Sequence, residues 1–256
     1  MKKNVKVIQS IQRAIDIINC FDYNNSRLTL NQISQRLSLN INTTRGIVNT
    51  LVLNGYIEHF PEDNVYALGL IYISKAEFLY KNNIDNLKNI ARVYLEKLTK
   101  TYGVGSRLQL ISNNNIFTID SVNPDNSHYV LITTLDTIFP MNATSSGKLL
   151  LKYGNIYDIE NIDFQQFTEN TIMDVEQLKS ELKKIDNTGY STEFEEVGMG
   201  ISSIATPILK DERTLFATIS IVATTPIIEN ILHDVSKDMI EFSNIISKKL
   251  SSSLSC

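Results

Sequence analysis

The sequence predicts an α+β protein of two domains: a winged helix-turn-helix over residues 1–69, a linker helix and boundary over 70–83, and a larger domain of antiparallel sheet flanked by helices over 84–256. Three observations carry that reading. Residues 29–56 divide into two short amphipathic helices across a tight turn and lead into a hairpin pattern. A single helical period then holds from Ile84 to Tyr102. Beyond Gly103, β-branched runs separated by Asn/Pro/Asp turns mix with helical stretches, the order expected of a sensor-like α+β domain.

In the first domain, Ile11, Ala14, Ile15, Ile18 and Phe21 are spaced for a helix that braces the two following ones. Thr29-x-x-Gln32 fits a capping box, because the Thr hydroxyl takes one orphan N–H while the Gln returns to the cap's own, so a helix begins at Leu30. Ser38-Leu39-Asn40 breaks it. The next helix, capped by Asn40 or Asn42, sets Ile47, Val48 and Leu51 on one face and Asn42, Arg45, Gly46 and Asn49 on the other. Asn54-Gly55 supplies a left-handed C-cap, and residues 56–60 and 65–68 read as a hairpin around Pro61-Glu62-Asp63-Asn64. Residues 70–81 form a connecting helix, whose Tyr72, Phe78 and Tyr80 read as core or dimer surface rather than a ligand cage.

In the second domain, strands are expected over residues 104–111, 116–122 and 129–134, then a loop through Pro140 and a helix over 143–152. Asp174-x-x-Gln177 caps a helix carrying Leu178, Leu182 and Ile185, which Gly189 ends. Two strands, 201–209 and 215–223, and a last helix over 226–250 complete the chain.

A net charge of −4 excludes a surface coated with nucleic acid throughout, yet residues 23–57 hold Arg27, Arg36 and Arg45 and no acidic residue, with Lys2, Lys3 and Lys6 upstream. Positive charge therefore gathers where the second helix of such a unit would enter a major groove. Arg45 and Asn49 suit guanine and adenine edges, Asn42 shares their face, and the bland alternative is a solvated helix surface. Thr43 and Thr44 either donate to phosphates or start the helix; Arg27, Arg36 and His59 are further phosphate candidates.

Catalysis has no candidate. The three histidines, His59, His128 and His233, follow no metal or nucleophile motif, and Cys20 and Cys256 form neither a disulfide framework nor a metal-ligand spacing. Cys20 reads as core. Ser145, Ser146 and Lys148 lack the Gly spacing of a phosphate loop, and Glu195-Glu196 reads as a structural or solvated turn before an acid–base pair. No cofactor or metal is expected. Without a signal peptide or the roughly 20 apolar residues of a membrane helix, a cytoplasmic protein is expected.

These stretches together resemble the IclR-type transcriptional regulators over nearly the whole length. The resemblance rests on residues 13–18 (RAIDII), Thr43, Asn54-Gly55-Tyr56, Tyr66-x-Leu68-Gly69, residues 142–149 (NATSSGKL), Gly189-Tyr190, and Glu195-Glu196 followed by Gly200, Ala205 and Pro207. It implies a GAF-like C-terminal domain that binds a small organic acid, and a homodimer or dimer of dimers acting on a double-stranded operator. Carried over by position, it nominates the backbone at Ser145 and Ser146 and the side chains of Glu193, Ser203 and Ser220 for the effector. Gly46 stands where the family pattern has Arg, Asn142 where it has His, Val222 where it has a polar residue and Thr137 where it has Gly, so an effector unlike the commonest ones is expected. The rival reading is an enzyme or metabolite-binding module whose winged helix mediates protein contacts; salt-sensitive retention on duplex DNA separates the two.

Overall fold

The computed structural model describes residues 7–22, 24–112, 115–125, 140–154, 159–162, 164–211 and 214–253. The strand expected over 129–134 lies outside them, as do Lys2, Lys3, Lys6, His128, Thr137 and Cys256. The chain divides into two compact units, Met1–Asn83 and Ile84–Cys256.

Unit 1 contains α1 (Gln9–Ile18), α2 (Leu30–Arg36), α3 (Ile41–Leu53), the hairpin β1 (Ile57–Phe60) and β2 (Val65–Leu68), and α4 (Ile71–Leu79). The capping box forms: the Thr29 hydroxyl accepts from Gln32 N and the Gln32 carbonyl accepts from Thr29 N. Asn40, not Asn42, caps α3, its side chain accepting from Asn42 N at 2.9 Å. The wing is antiparallel from Ile57↔Leu68 to Phe60↔Val65, and Leu28 bonds both ways to Tyr66, adding a third extended segment. Ile17, Cys20, Phe21, Leu28, Ile33, Val48, Ile57 and Tyr66 form the core.

The face of α1 differs from expectation. Ile17, Cys20 and Phe21 turn inward, whereas Ile11 and Ile15 are 56% and 45% exposed beside exposed Val7 and Ile8. The helix has a clear apolar stripe, but the N-terminal part of that stripe has no covering element among the described residues of this unit. The connecting helix α4 buries none of its residues: Ile73, Phe78 and Leu79 are exposed, and Ile71 and Tyr72 are partly covered, Tyr72 edge-on to Tyr56 at 5.8 Å. Of the two alternatives for Phe78 and Tyr80, core or dimer surface, their exposure removes the first and leaves the second.

A π-helical turn, Tyr80–Ile84, leads into unit 2 and α5 (Asp85–Tyr102), which ends at Gly103 in the left-handed region. There follow β3 (Gly105–Ser112), β4 (Asn115–Val122), α6 (Ser145–Tyr153), a 3-10 turn at Ile159–Asn161, α7 (Val175–Thr188), β5 (Ser191–Phe194), β6 (Ile201–Leu209), β7 (Leu215–Thr224) and α8 (Thr225–Ser253). The sheet order is β4-β3-β7-β6-β5, each neighbouring pair antiparallel. Strand β5 was not expected: four residues, two of them polar and one acidic, give too short an alternation to read.

Alternation along the strands gives this sheet two unlike faces. One presents Leu108, Ile204, Ile208, Ile219 and Ile221 to α5 and α8, whose Leu95, Leu98, Val235, Met239 and Phe242 complete the larger core. Against the opposite face lie α6 and α7, with Leu149, Leu150, Leu178, Leu182 and Ile185 in a second core. Between these apolar patches the second face carries polar residues, and α6 covers them.

Candidate functional site

The candidate recognition element is built on a local contrast. On α3, Val48 is fully buried and Ile47 and Leu51 pack on the unit 1 core, while Asn42, Arg45 and Asn49 are exposed. Arg45 reaches Asn42 Oδ1 at 3.3 Å, so the two present one polar surface. Thr43 is half-buried at the same end. Thr44 is a correction: it is fully buried and its hydroxyl donates to Asn40 O at 3.1 Å, because offset 4 from Val48 puts it on the packed face. Gly46 faces open space, with nothing within 4 Å of an added Cβ.

Arg36 is also reassigned. Its guanidinium donates to Cys20 O at 3.2 Å and to Asn25 Oδ1, tying α2 to the end of α1, so it is a strut within the unit. Arg27 stays at the surface, 4.5 Å above the Phe60 ring and 3.6 Å from Asp63 Oδ2. His59 stacks on its cross-strand neighbour Tyr66 at 4.6 Å.

In unit 2 the nominated residues converge beneath the start of α6. Thr144 caps that helix, its hydroxyl accepting from Gly147 N at 3.0 Å. Gly147 has no room for a side chain: a Cβ would sit 2.5 Å from Thr144 Oγ1 and 2.6 Å from Met141 Cα. This close approach packs the first turn of α6 against the loop that leads into it, and Ser145 and Ser146 on that turn reach the sheet. Ser145 Oγ pairs with Ser203 Oγ at 2.8 Å, and Ser203 donates to Glu193 Oε1 at 3.4 Å.

Ser146 takes part in a network the sequence did not reveal. Gln109 Oε1 accepts from Ser146 at 2.6 Å, Ser220 at 2.9 Å and Thr218 at 3.4 Å. Arg107, two residues earlier on the same face of β3 and cross-strand to Ser220, is buried as well, and desolvation lowers its pKa. The only signal was the alternation of Arg107 and Gln109 with Leu108 and Leu110, which normally marks a solvated face. Asn142 is structural, donating to Ile172 O at 2.9 Å.

Glu193 is 4% exposed, and burial lifts its pKa from 4.5 to about 7, with the nearby Glu196 carboxylate adding to the rise. The Glu196 N–H, bonded to Glu193 Oε2 at 3.1 Å, and Lys148 oppose it. Lys148 crosses beneath α6 to donate to Thr192 O at 3.0 Å and to Glu196 Oε1. Glu196 is thus a buried ion-pair partner and not a solvated turn residue.

A winged helix-turn-helix followed by a domain with a buried polar cluster is the plan of a DNA-binding regulator that carries its own sensor. Comparison with known proteins gives the family. Residues 81–246 match the bacterial transcriptional regulator IclR C-terminal domain, and residues 10–61 match the IclR helix-turn-helix domain. The chain belongs to the IclR family of transcriptional regulators. It is 26% identical to the HTH-type transcriptional regulator XynR of Escherichia coli over 86% of this chain and 87% of that one. It is 28% identical to the glycerol operon regulatory protein of Streptomyces coelicolor, over 78% and 79% of the respective chains. An IclR homologue from Microbacterium hydrocarbonoxydans, complexed with 4-hydroxybenzoate, superposes with a TM-score of 0.75 at 20% identity over 95% of this chain and 99% of the other. An IclR regulator from Alicyclobacillus acidocaldarius gives 0.78 at 19% identity, over 96% and 100%.

Proposed function

We propose that this regulator binds operator DNA through α3 as a homodimer, or as a dimer of such dimers, and that a small organic acid held beneath α6 changes its affinity for the operator. The observation that carries the DNA reading is the outward face of α3. Arg45, Asn42 and Asn49 are exposed on a helix whose opposite side is anchored in the core, so the polar face is held rigidly for base edges. Thr43 at its start, Arg27 and His59 of the wing region supply phosphate contacts.

The exposed apolar residues Val7, Ile8, Ile11 and Ile15 on and before α1, and separately Ile73, Phe78 and Leu79 on α4, support self-association, since clustered uncovered apolar side chains mark interfaces. For the effector, Ser145, Ser203 and Ser220 offer hydroxyls, the start of α6 offers its backbone N–H groups, and Glu193 in its protonated form donates to a carboxylate. The homologue that carries 4-hydroxybenzoate supports an acid of that kind. Ligand and DNA affinities are then linked reciprocally, by about 1–3 kcal/mol.

The test is selection of genomic fragments by the purified full chain, followed by gel shifts on the recovered site at several salt concentrations. The expected result is one recurrent sequence, bound with a steep fall in affinity as salt rises. Binding that is weak, salt-indifferent and without sequence preference overturns the reading.

A further inference from the structure

The outward side of α3 has an empty place at its centre. At about 100° per residue, Gly46 stands about 200° around the helix from both Thr44 and Val48, which are fully buried, so no position points more directly away from the core. Asn42 and Thr50, one turn to either side, are exposed, as are Arg45 and Asn49 beside them. An added Cβ at Gly46 would meet nothing within 4 Å. The four side chains therefore surround a notch whose floor is the helix backbone.

The fold itself gives no reason for a glycine here. The left-handed glycines are Gly55, Gly103, Gly189 and Gly200, and no described residue crowds Gly46. Inside a helix glycine is unfavourable, because it surrenders more backbone freedom than alanine. What its missing side chain provides is close approach: a partner can reach the Cα.

The floor of the notch is apolar. Gly46 N and O belong to the helix ladder, and Gly46 O also accepts the Thr50 hydroxyl at 2.9 Å, so the Cα hydrogens are what a partner meets. The rim is polar. Arg45 donates to Asn42 Oδ1 at 3.3 Å, which sets both on one side of the notch, and the exposed Asn49 amide offers a donor and an acceptor.

An apolar centre ringed by hydrogen-bonding groups matches one feature of a base-pair edge. In the major groove the apolar group that projects toward a protein is the thymine C5 methyl, and its neighbours are donors and acceptors. A side chain at the outermost position would hold the helix off that methyl, whereas hydrogen lets the two meet. Resting on the reading of α3 as the helix that contacts the operator, we propose that Gly46 is a specificity-determining residue, whose notch receives the C5 methyl of an operator thymine while Arg45 and Asn49 bond the neighbouring bases.

The experiment is a uracil scan of the duplex recovered by fragment selection. Each thymine in turn is replaced by deoxyuridine, which removes the methyl and keeps the pairing edge, and binding of the full chain is followed by fluorescence anisotropy. At the thymine seated on Gly46, the replacement is expected to weaken binding by about fourfold, the worth of one buried methyl group. Gly46→Leu fills the notch from a Cβ that meets no neighbour, and is expected to keep the circular dichroism spectrum of the parent. It should bind the unsubstituted duplex about tenfold more weakly and no longer distinguish thymine from uracil at that position. The proposal is overturned by a scan in which no uracil matters, by an equal uracil penalty in Gly46→Leu, or by Gly46→Leu binding as tightly as the parent. A flat scan on a duplex that still depends on Arg45 removes the notch and leaves α3 as the reader; failure to select any sequence overturns both.

Discussion

Helices α3 and α6 start alike and end in opposite circumstances. Each is opened by a side-chain cap, Asn40 for α3 and Thr144 for α6, and each carries a polar stripe. On α3 that stripe faces outward, with Asn42, Arg45 and Asn49 exposed. On α6 it faces the sheet, where Ser145, Ser146 and Lys148 are all nearly inaccessible and bonded to Ser203, Gln109 and Glu196. Exposed polar groups can be exchanged with little effect on folding, whereas buried ones hold partners that are costly to strand. The first unit therefore keeps its proposed binding surface separate from its stability, and the second combines the two.

The hardest test of that contrast is Lys148→Met. It leaves Glu196 charged and buried without its partner, and is expected to cost about 3–5 kcal/mol in urea unfolding of the full chain. Adding Glu196→Gln should recover much of the loss. A single-variant cost near that of an exposed substitution would break the contrast.

Glu193 comes next, with an effect that depends on pH. Its pKa is raised from 4.5 to about 7, so between those values the folded state holds more protons than the unfolded one. Stability is therefore greatest below the lower value and is lost as pH rises through the upper, by about 3 kcal/mol for this group. Urea unfolding across pH should show that decline in the parent and lose it in Glu193→Gln. Affinity for a carboxylate ligand should fall as pH rises through about 7, where folded Glu193 loses its proton, because only the protonated acid donates.

Arg45→Ala tests the exposed side of the comparison. It should weaken binding to the selected operator by about 1–3 kcal/mol and relax one base position, with the urea midpoint unchanged. An unaltered footprint would remove Arg45 from the recognition set. The smallest expected effect is that of Gly46→Ala, which meets no neighbour within 4 Å and should stabilise α3 by about 1 kcal/mol.

Much of this architecture was legible because its causes are local. The Thr29–Gln32 box, the Asp174 cap on α7 and the left-handed Gly103 and Gly189 involve residues a few places apart, and the residue types announce the geometry. The outward Arg45 follows from periodicity for the same reason. Other features were not legible from neighbours in the chain. Thr44 reads as a helix-start hydroxyl until Val48 shows which face is packed. Arg107 and Gln109 read as a solvated stripe until α6, more than thirty residues later, covers them. Strand β5 exists because the longer β6 offers it an edge.

Residue order by itself determined where helices and most strands begin and end, and the polar and apolar sides they possess, since capping, turn chemistry and side-chain period act over a few residues. Only the tertiary structure decided which sides meet water. It set Ile11 and Ile15 outside, buried Gln109 beneath three hydroxyls, and joined Lys148 to Glu196 across 48 positions of sequence. Burial is a property of what packs on a surface, and that partner comes from elsewhere in the chain.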